Sequence, residues 1–363
     1  MATRMAGLDA VRRGNLGEIL RLVHHSGPRS RAVLTAETGL NRSTVADLVS
    51  TLADAGLVVE RDPDPSHRVG RPSPVVVPAE GVVAIGVNPE VDAVEIAAVG
   101  FGGAVRRETR EAAAADPAAL AATVARVLAE WALTERVVGV GVAVPGLVRA
   151  EDGVVRLAPH LGWRDADVAG PIARATGLPV AVGNDASLGA RAEHLYGAAR
   201  GVDDMVYLNG GASGIGGGLV LGGRIIGGAD GYAGEWGQNR ASVDAADRRT
   251  ETAALEDEVN RQRLLDARAD GAADDEVARQ RRILASTLAN AVNVIAPRVI
   301  VLGGFLADLR AADAAAFDGA VRLQALDVPA ERVELHAARL AGHRLLIGAA
   351  EIAFDRLLAD PLG

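Results

Sequence analysis

The chain has 363 residues, is 49% hydrophobic and has a formal net charge of −9, so its length suits a small domain followed by a large one. It contains neither cysteine nor lysine, which excludes disulfides, thiolate zinc sites, cysteine nucleophiles, Schiff-base chemistry and lysine-dependent phosphate loops. It has no run of about 18 apolar residues and no apolar signal segment, so we expect a cytoplasmic protein that does not bind a membrane.

The charge is unevenly distributed along the chain. Residues 1–75 carry ten arginines and eight acidic residues, whereas the remainder is strongly acidic. This asymmetry indicates that the N-terminal segment binds something anionic.

Three short helices are predicted in this segment. The first covers Asn15–His25 and ends at Gly27, and the second covers Arg31–Thr38. A tight turn precedes the third, which Asn41 or Ser43 can cap. Two sets of residues form apolar faces at helical spacing: Leu16, Ile19, Leu20 and Val23 in the first helix, and Val45, Leu48, Val49 and Leu52 in the third.

Helices joined by a glycine turn are typical of a helix-turn-helix, in which the N-terminal end of the third helix enters the major groove. Two β-prone runs at 57–60 and 73–77 would form a wing. The predicted DNA-binding residues are Arg31, Asn41, Arg42, Ser43, Thr44, Arg68, Gly70 and Arg71. The alternative is a three-helix protein-interaction module.

A family resemblance favours DNA binding. The stretch TGLNRSTVADLVSTLADAGLVVE, followed by VGRP, is similar to the winged-helix domain of ROK family transcriptional regulators. The GRP at 70–72 is a specific part of that resemblance. We therefore predict a mainly α winged helix-turn-helix domain at residues 1–75.

Residues 76–363 are predicted to form a second domain. Val82–Val87, Val91–Val99, Ala104–Arg110 and Val137–Val144 are predicted strands. Long helices are predicted at 112–133, 252–269 and 274–296. Strands followed by helices, twice over, indicate an α/β architecture with two lobes.

Further motifs extend the resemblance over residues 10 to about 355. GVGVAVPGLV, LAPHLGWRD and LPVAVGNDASLGARAEHLYG follow one another as in the sugar-kinase-like domain of the ROK family. The resemblance implies an actin-like, two-lobed α/β fold for this domain.

Asn184 and Asp185 end a predicted strand and open a helix. Either could simply cap that helix. In ROK sugar kinases, however, the residue matching Asp185 is the base for the phosphorylated hydroxyl, and the one matching Asn184 holds the sugar. An Asn-Asp pair offers a polyol both donors and acceptors.

Thirteen of the thirty-one residues from Leu208 to Gln238 are glycine. Such density fits either a β-hairpin with close strand approach or a backbone cradle for phosphate. Its far end, GYAGEWGQ, matches the family's sugar-binding motif. The resemblance implies that Glu235, Gln238 and Glu256 bind sugar. His160 is a further candidate ligand contact, with a structural role in its loop as an equal alternative.

Two departures from the family pattern bear on cofactors. Gln238 replaces a histidine that ligates zinc in the family, and the cysteines that complete that site are absent, so we expect no metal. Asn88-Pro89-Glu90 replaces the first phosphate-binding element and puts a negative charge where a phosphate would lie. We therefore expect no ATP and no kinase activity, with Asp185 a vestigial base.

These patterns predict a DNA-binding transcriptional regulator, a repressor of carbohydrate genes whose binding to a double-stranded operator responds to a sugar or sugar derivative. A homodimer or homotetramer is expected because operators are usually two-fold symmetric. Two alternatives remain open at this point. One is a ROK sugar kinase with a fused DNA-binding domain, and the other is a regulator that no longer senses sugar.

Overall fold

A computed structural model describes residues 2–62, 73–211, 214–241 and 253–363, with side chains from residue 9 onward. Three residues of the predicted wing, Arg68, Gly70 and Arg71, lie outside the described residues.

The helices follow one another along the chain. They are α1 Ala2–Ser26, α2 Arg31–Thr38, α3 Arg42–Asp54, α4 Pro117–Trp131, α5 Ala169–Thr176, α6 Asp185–Tyr196, α7 Leu255–Glu258, α8 Arg261–Ala269, α9 Ala273–Ile295, α10 Phe305–Ala311, α11 Ala314–Gln324, α12 Asp327–Arg332 and α13 Arg344–Ala359.

The strands alternate with these helices. They are β1 Arg29–Ser30, β2 Val58–Arg61, β3 Val75–Pro78, β4 Val82–Pro89, β5 Ala93–Gly100, β6 Ala104–Ala112, β7 Arg136–Val144, β8 Leu147–Val148, β9 Val155–Ala158, β10 Trp163–Ala166, β11 Val180–Asn184, β12 Met205–Gly211, β13 Gly214–Leu221, β14 Arg224–Ile225, β15 Val299–Gly304 and β16 Glu334–Ala337.

The described strands form four sheets. A three-stranded antiparallel sheet has the order β1-β3-β2, and a second small sheet has the order β10-β9-β8. Two five-stranded sheets follow, β11-β7-β4-β5-β6 and β14-β13-β12-β15-β16. Each large sheet mixes a parallel pairing with an antiparallel hairpin, since β4 pairs parallel to β7 and antiparallel to β5, and β12 pairs parallel to β15 and antiparallel to β13.

The chain divides into two compact units. Unit 1 comprises residues 1–142, 167–182 and 349–363, and unit 2 comprises residues 143–166 and 183–348. Unit 1 contains the three N-terminal helices with sheet β1-β3-β2, together with sheet β11-β7-β4-β5-β6 apart from the last residues of β7 and β11. Unit 2 contains the glycine-rich hairpin and helices α6 to α12.

The N-terminal helices have the boundaries that local capping dictates. The Ser30 side chain accepts a hydrogen bond from Val33 N at the start of α2, and Gly39 ends that helix in the left-handed region at φ 69°. Helix α1 extends well beyond the predicted start, reaching back to Ala2. Both predicted apolar faces are buried, at 2% exposure or less for each of their eight residues.

Helix α1 packs tightly against the C-terminal helix within unit 1. A Cβ added at Gly17 would lie 2.3 Å from the Leu358 carbonyl oxygen, which is backbone and cannot turn aside. Three residues earlier on the same helix, Gly14 has nothing within 4 Å of the corresponding position. Gly17 is therefore required by the helix contact, whereas Gly14 is not.

We expect Gly17→Ala to lower the free energy of unfolding by about 1–3 kcal/mol, because the helices must separate to admit the methyl group. Gly14→Ala should instead raise it by about 0.5–1 kcal/mol through helix propensity. Thermal melting of the two variants measures both effects. Equal shifts in the same direction would contradict the close approach of α1 to Leu358.

The glycine-rich stretch forms a hairpin in unit 2, as one of its two interpretations predicted. Strands β12 and β13 pair antiparallel, with Asn209 opposite Gly216. Helix α6 lies directly on β13: a Cβ at Gly216 would be 2.6 Å from the Ala186 methyl carbon, and one at Gly218 would be 2.6 Å from that of Ala190. The glycines thus allow the helix that begins at Asp185 to approach the strand.

Two predicted helices have different boundaries in the structure. The helix predicted at 112–133 begins only at Pro117, because β6 continues to Ala112 and Asp116 caps the helix by accepting from Ala119 N at 2.8 Å. The helix predicted at 252–269 is divided into α7 and α8. Asn260 interrupts it and caps α8, accepting from Gln262 N at 2.8 Å.

None of the helices in the described part of the chain is both long and apolar enough to cross a bilayer. The two longest, α1 and α9, have 25 and 23 residues but carry charged side chains along their length.

Candidate functional site

The N-terminal end of α3 is the exposed part of the predicted DNA-binding surface. Asn41 caps the helix: its Oδ1 accepts from Thr44 N at 2.8 Å and from Ser43 Oγ at 2.7 Å. Asn41, Arg42 and Ser43 are exposed, and Thr44 is half-buried. The cap fixes the first turn of the helix and leaves the Arg42 guanidinium pointing to solvent, so this side chain can reach a base edge.

The Arg31 side chain, in contrast to that of Arg42, forms an ion pair within the protein. Its Nε and Nη2 both donate to the carboxylate of Glu60 on β2, which is a bidentate pair within unit 1. The pairing ties α2 to the small sheet, and the DNA contact of Arg31 stays a prediction.

A cavity of about 350 Å³ lies within unit 2. All six residues predicted to bind ligand line it: Asn184, Asp185, Glu235, Gln238, Glu256 and His160. Apolar side chains and backbone atoms form the rest of the lining. They belong to Pro145, Gly146, Leu147, Leu157, Pro159 and the first residues of β13. A small concave site with apolar walls and a few convergent polar groups is suited to a small molecule.

Asn184 and Asp185 have separate roles in this wall. Asn184 is the cap of α6, with Oδ1 accepting from Ser187 N at 2.8 Å, while its Nδ2 donates to Gly146 O at 3.0 Å. The Asp185 Oδ1 accepts from Ala186 N at 2.8 Å and from Asn184 Nδ2 at 3.3 Å. Asn184 is thus the residue that orients the helix start, and it holds the Asp185 carboxylate at the cavity.

Glu235 and Glu256 contribute two further carboxylates. Glu256 Oε1 accepts from the Gln238 amide, and its Oε2 accepts from Ile215 N at 3.2 Å. Burial, and then the charge of Glu256, raises the pKa of Glu235. His160, on a 3₁₀ turn at Pro159–Leu161, is exposed at the rim.

A buried ion pair anchors the turn that carries Glu256. Glu258, at the end of α7, is fully buried and accepts from Arg279 of α9, whose side chain is 5% exposed. Arg279 Nη1 also donates to the Glu258 carbonyl at 3.0 Å. Next to this pair, Gln280 exchanges two hydrogen bonds with the Asn260 backbone, at 3.0 and 3.1 Å.

Backbone pairing supports the other side of the same turn. Arg240 and Ala254 form an antiparallel bridge, and Leu255 N donates to Asn239 O at 2.8 Å. The segment that carries Glu235 and Gln238 is therefore joined directly to the segment that carries Glu256.

The zinc ion of the resembled family does not fit these residues. The Gln238 amide donates to Glu256, and an amide is a poor zinc ligand. The chain has no cysteine to complete a tetrahedral set. The segments that carry Gln238 and Glu256 are held by the backbone bridge and the Glu258–Arg279 pair.

The segment Asn88-Pro89-Glu90 ends strand β4 in unit 1. Asn88 is 2% exposed, and its amide donates to Glu90 Oε1 at 3.0 Å and to Glu95 Oε2 at 3.2 Å. Two carboxylates therefore flank the end of this strand. Such a cluster repels phosphate.

A buried cluster in unit 1 was not predicted. His24 and Glu351 are both fully buried, with His24 Nε2 at 3.0 Å from Glu351 Oε1, and His25 Nε2 lies 3.3 Å from Glu351 Oε2. Gly102 N donates to His24 Nδ1 at 3.0 Å, so Nδ1 carries no proton and Nε2–H donates to the carboxylate.

These three side chains lie close enough together to hold a metal ion. A metal-bound imidazole, however, donates its other N–H, and the other nitrogen of His24 accepts instead. The polarity of this hydrogen bond argues for a structural cluster that ties α1 to α13.

The cavity also depends on groups that sequence patterns did not single out. The Gly146 carbonyl accepts a hydrogen bond from the Asn184 amide, and Ile215 N donates one to the Glu256 carboxylate. The Pro145-Gly146 turn after a buried strand was a usable signal for the first. No local sequence pattern predicts the hydrogen bond from Ile215 N, because Ile215 and Glu256 are 41 residues apart.

Residues 84–253 match the ROK family model. Among curated proteins, the chain is 27% identical to the xylose repressor of Bacillus subtilis over 233 residues, which are 62% of this chain and 60% of that protein. It is 35% identical over 217 residues to the transcriptional regulator Rv0485 of Mycobacterium tuberculosis, covering 57% of this chain and 49% of that protein. The matches thus span about half to 60% of these relatives.

Solved structures match over more of the chain. A ROK family transcriptional regulator, described as a homologue of the E. coli MLC protein, aligns with a TM-score of 0.80 and 26% identity over 97% of this chain and 98% of that one. A ROK family glucokinase from Streptomyces griseus aligns with a TM-score of 0.63 and 22% identity over 74% of this chain and 98% of that one. The predicted fold class, a winged helix-turn-helix followed by an actin-like α/β domain, is confirmed by these matches.

Proposed function

We propose that the chain is a member of the ROK family and a DNA-binding transcriptional regulator, a repressor of carbohydrate genes whose operator binding responds to a sugar or sugar derivative. The observation that carries this proposal is the pairing of two features in one chain. One is a capped, exposed helix start at Asn41 and Arg42 within a winged-helix fold, and the other is the polar cavity at Asp185.

The DNA-binding function rests on α3. Its start presents an arginine and two small polar side chains to solvent, and Arg42 can form a bidentate contact with guanine in the major groove. Helix α1 supports this surface, since Arg12 donates to Asp47 and Thr51 of α3 at 2.7 and 3.0 Å.

We expect Arg42→Ala to weaken binding to a selected operator by about 1–3 kcal/mol and to relax base preference at one position. Arg136→Ala is the matched control, because Arg136 is also an exposed arginine of unit 1 but lies at the start of β7. Fluorescence anisotropy with the operator and with single-base variants measures both effects. Unchanged affinity in Arg42→Ala, or an equal loss in both variants, would contradict the placement of the recognition helix.

The effector function rests on the cavity in unit 2. Asn184 and Asp185 are fixed at the start of α6, and Glu256 is fixed by Gln238 and Ile215 N, so polar groups converge on one small volume without a metal. Pre-positioned donors and acceptors of this kind suit the hydroxyls of a sugar. This arrangement argues against a regulator that has lost its ligand.

The coupling between effector and DNA requires that the ligand favours one conformation, since equal affinity for both states shifts nothing. We propose that the regulator acts as a homodimer or homotetramer, so that two winged helices engage a two-fold operator. A regulator of this kind works in the cytoplasm, beside the DNA. We propose that it uses no metal and no ATP.

Kinase activity is the second candidate, and Asp185 is the observation that favours it. Against it stand Asn88 and the carboxylates of Glu90 and Glu95 at the end of β4. A coupled ATP assay with a panel of hexoses tests this point. We expect no turnover, whereas turnover that disappears in Asp185→Asn would overturn the assignment as a non-enzyme.

A further inference from the structure

The solvent-facing side of α3 carries an acidic residue between two serines. Ser43, Asp47 and Ser50 are all exposed, and their i, i+4, i+7 spacing places them on one face of the helix. The buried residues of α3, among them Val45 and Leu48, lie on the opposite face. Asp47 thus shares the face of Ser43, one turn further along a helix whose N-terminal part would meet the base edges.

Arg12 of α1 is the cation paired with this carboxylate. Its Nη1 donates to Asp47 Oδ2 at 2.7 Å, and its Nη2 donates to Thr51 Oγ1 at 3.0 Å. The second carboxylate oxygen, Asp47 Oδ1, accepts no hydrogen bond from the described residues. The side chains of Arg12 and Asp47 are 48% and 61% exposed, so the pair lies at the surface.

Stability alone does not account for this pair, because exposed ion pairs contribute little to it. An acidic side chain on a DNA-facing surface is repelled by the phosphates. Arg12 offsets that repulsion by placing a positive charge at hydrogen-bond distance from the carboxylate. It also fixes the position of the carboxylate, since the same guanidinium is held by Thr51.

The chemistry of a carboxylate distinguishes the four bases. An ionised carboxylate accepts hydrogen bonds and donates none. In the major groove cytosine presents an amino donor, whereas guanine presents two acceptors and thymine presents an acceptor and a methyl group. Adenine presents a donor beside an acceptor, which suits an amide better than a carboxylate. A carboxylate on this face of α3 therefore favours cytosine.

We propose that Asp47 selects a cytosine in each half of the operator by accepting a hydrogen bond from its N4 amino group. Arg12 acts as a positioning residue, which holds the carboxylate and offsets its charge. This inference rests on the proposed function, since it assumes that α3 is the recognition helix.

Selection of bound duplexes from a random pool, followed by fluorescence anisotropy on single-base variants of the enriched operator, tests the proposal with the full chain. The wild-type chain should prefer cytosine at one position of each half-site by at least about fivefold. In Asp47→Ala that preference should fall to within about twofold, with the preferences at all other positions retained. In Asp47→Asn it should change from cytosine to adenine, because an amide can both donate and accept.

Two variants of Arg12 test its positioning role. Arg12→Met removes the charge and the donors, and should reduce the preference for cytosine. Arg12→Lys keeps a cation and should retain most of it. Asp54→Ala is the matched control, because it removes another exposed carboxylate of α3, in the last turn, and should leave every base preference unchanged. Melting curves of all the variants exclude unfolding as a cause.

The outcomes distinguish this inference from the proposed function. Unchanged base preferences in Asp47→Ala or in Asp47→Asn overturn the inference and leave the regulator intact, as does a change confined to a position where the wild-type chain selects a base other than cytosine. Full cytosine preference in Arg12→Met overturns the positioning role. If the wild-type chain enriches no sequence, the proposed function itself is contradicted.

Discussion

Arg279→Met is expected to lower the free energy of unfolding by about 3–5 kcal/mol and to abolish ligand binding in unit 2. The substitution removes Arg279 from a buried ion pair with Glu258, and breaking a buried ion pair by removing one partner costs that much. Glu258 ends the helical turn that carries Glu256, so displacement of Glu258 removes Glu256 from the cavity.

Two further variants identify the cause of this loss. Arg282→Met, on the exposed side of the same helix, should change stability by no more than about 0.5 kcal/mol. The double variant Arg279→Met with Glu258→Leu should recover most of the stability, because an apolar pair can replace a buried ion pair. Chemical denaturation measures all three. A single variant as stable as the double variant would contradict the anchoring role of this pair.

Glu351→Ala is the second substitution with a large expected effect. It removes the carboxylate that contacts two histidines of α1, and breaking this buried polar cluster should cost about 2–5 kcal/mol. Because α1 also supports α3 through Arg12, we expect weaker operator binding in the same variant.

Glu351→Gln is the matched comparison for the cluster. Its amide oxygen can still accept from His24, so it should retain more stability than the alanine variant. Urea denaturation and operator titration of both variants provide the test. Equal stability of Glu351→Ala and the wild-type chain would show that the cluster does not hold α1 to the C-terminal helix.

The sequence predicted those parts of the fold that short-range patterns determine. Helix α3 begins after Asn41 because its side chain caps the first turn, and its apolar face is buried as the spacing required. Strands β4 and β7 of one large sheet were recognisable as continuous apolar runs. The antiparallel hairpin at 205–221 was one of two interpretations of its glycines.

Long-range polar contacts could not be predicted in the same way. His25 and Glu351 are 326 residues apart, and Arg31 and Glu60 are 29 apart, with no periodicity linking either pair. The prediction for Arg31 did not anticipate this ion pair, because a basic residue near a recognition helix resembles a phosphate contact until its acidic partner is known. The helix cap at Asn260 was also not predicted, because apolar residues at helical spacing occur on both sides of it.

The candidate cavity was predicted in part. Its six residues were proposed from motif resemblance, and the structure brings all of them to one cavity. The motifs did not predict which contacts hold the segment that carries Glu256. These contacts come from Arg279, Gln280 and the Arg240–Ala254 bridge, which are separated along the chain and share no sequence pattern.

The most direct test of the regulator assignment is selection of bound DNA from a random duplex pool by the full chain, followed by titration of the enriched sequence with and without a panel of sugars and sugar derivatives. We expect enrichment of a two-fold symmetric operator, whose affinity changes at least about fivefold when a sugar occupies the cavity. Failure to enrich any sequence would contradict DNA-specific binding by this chain, and an operator whose affinity no sugar changes would contradict regulation through the cavity.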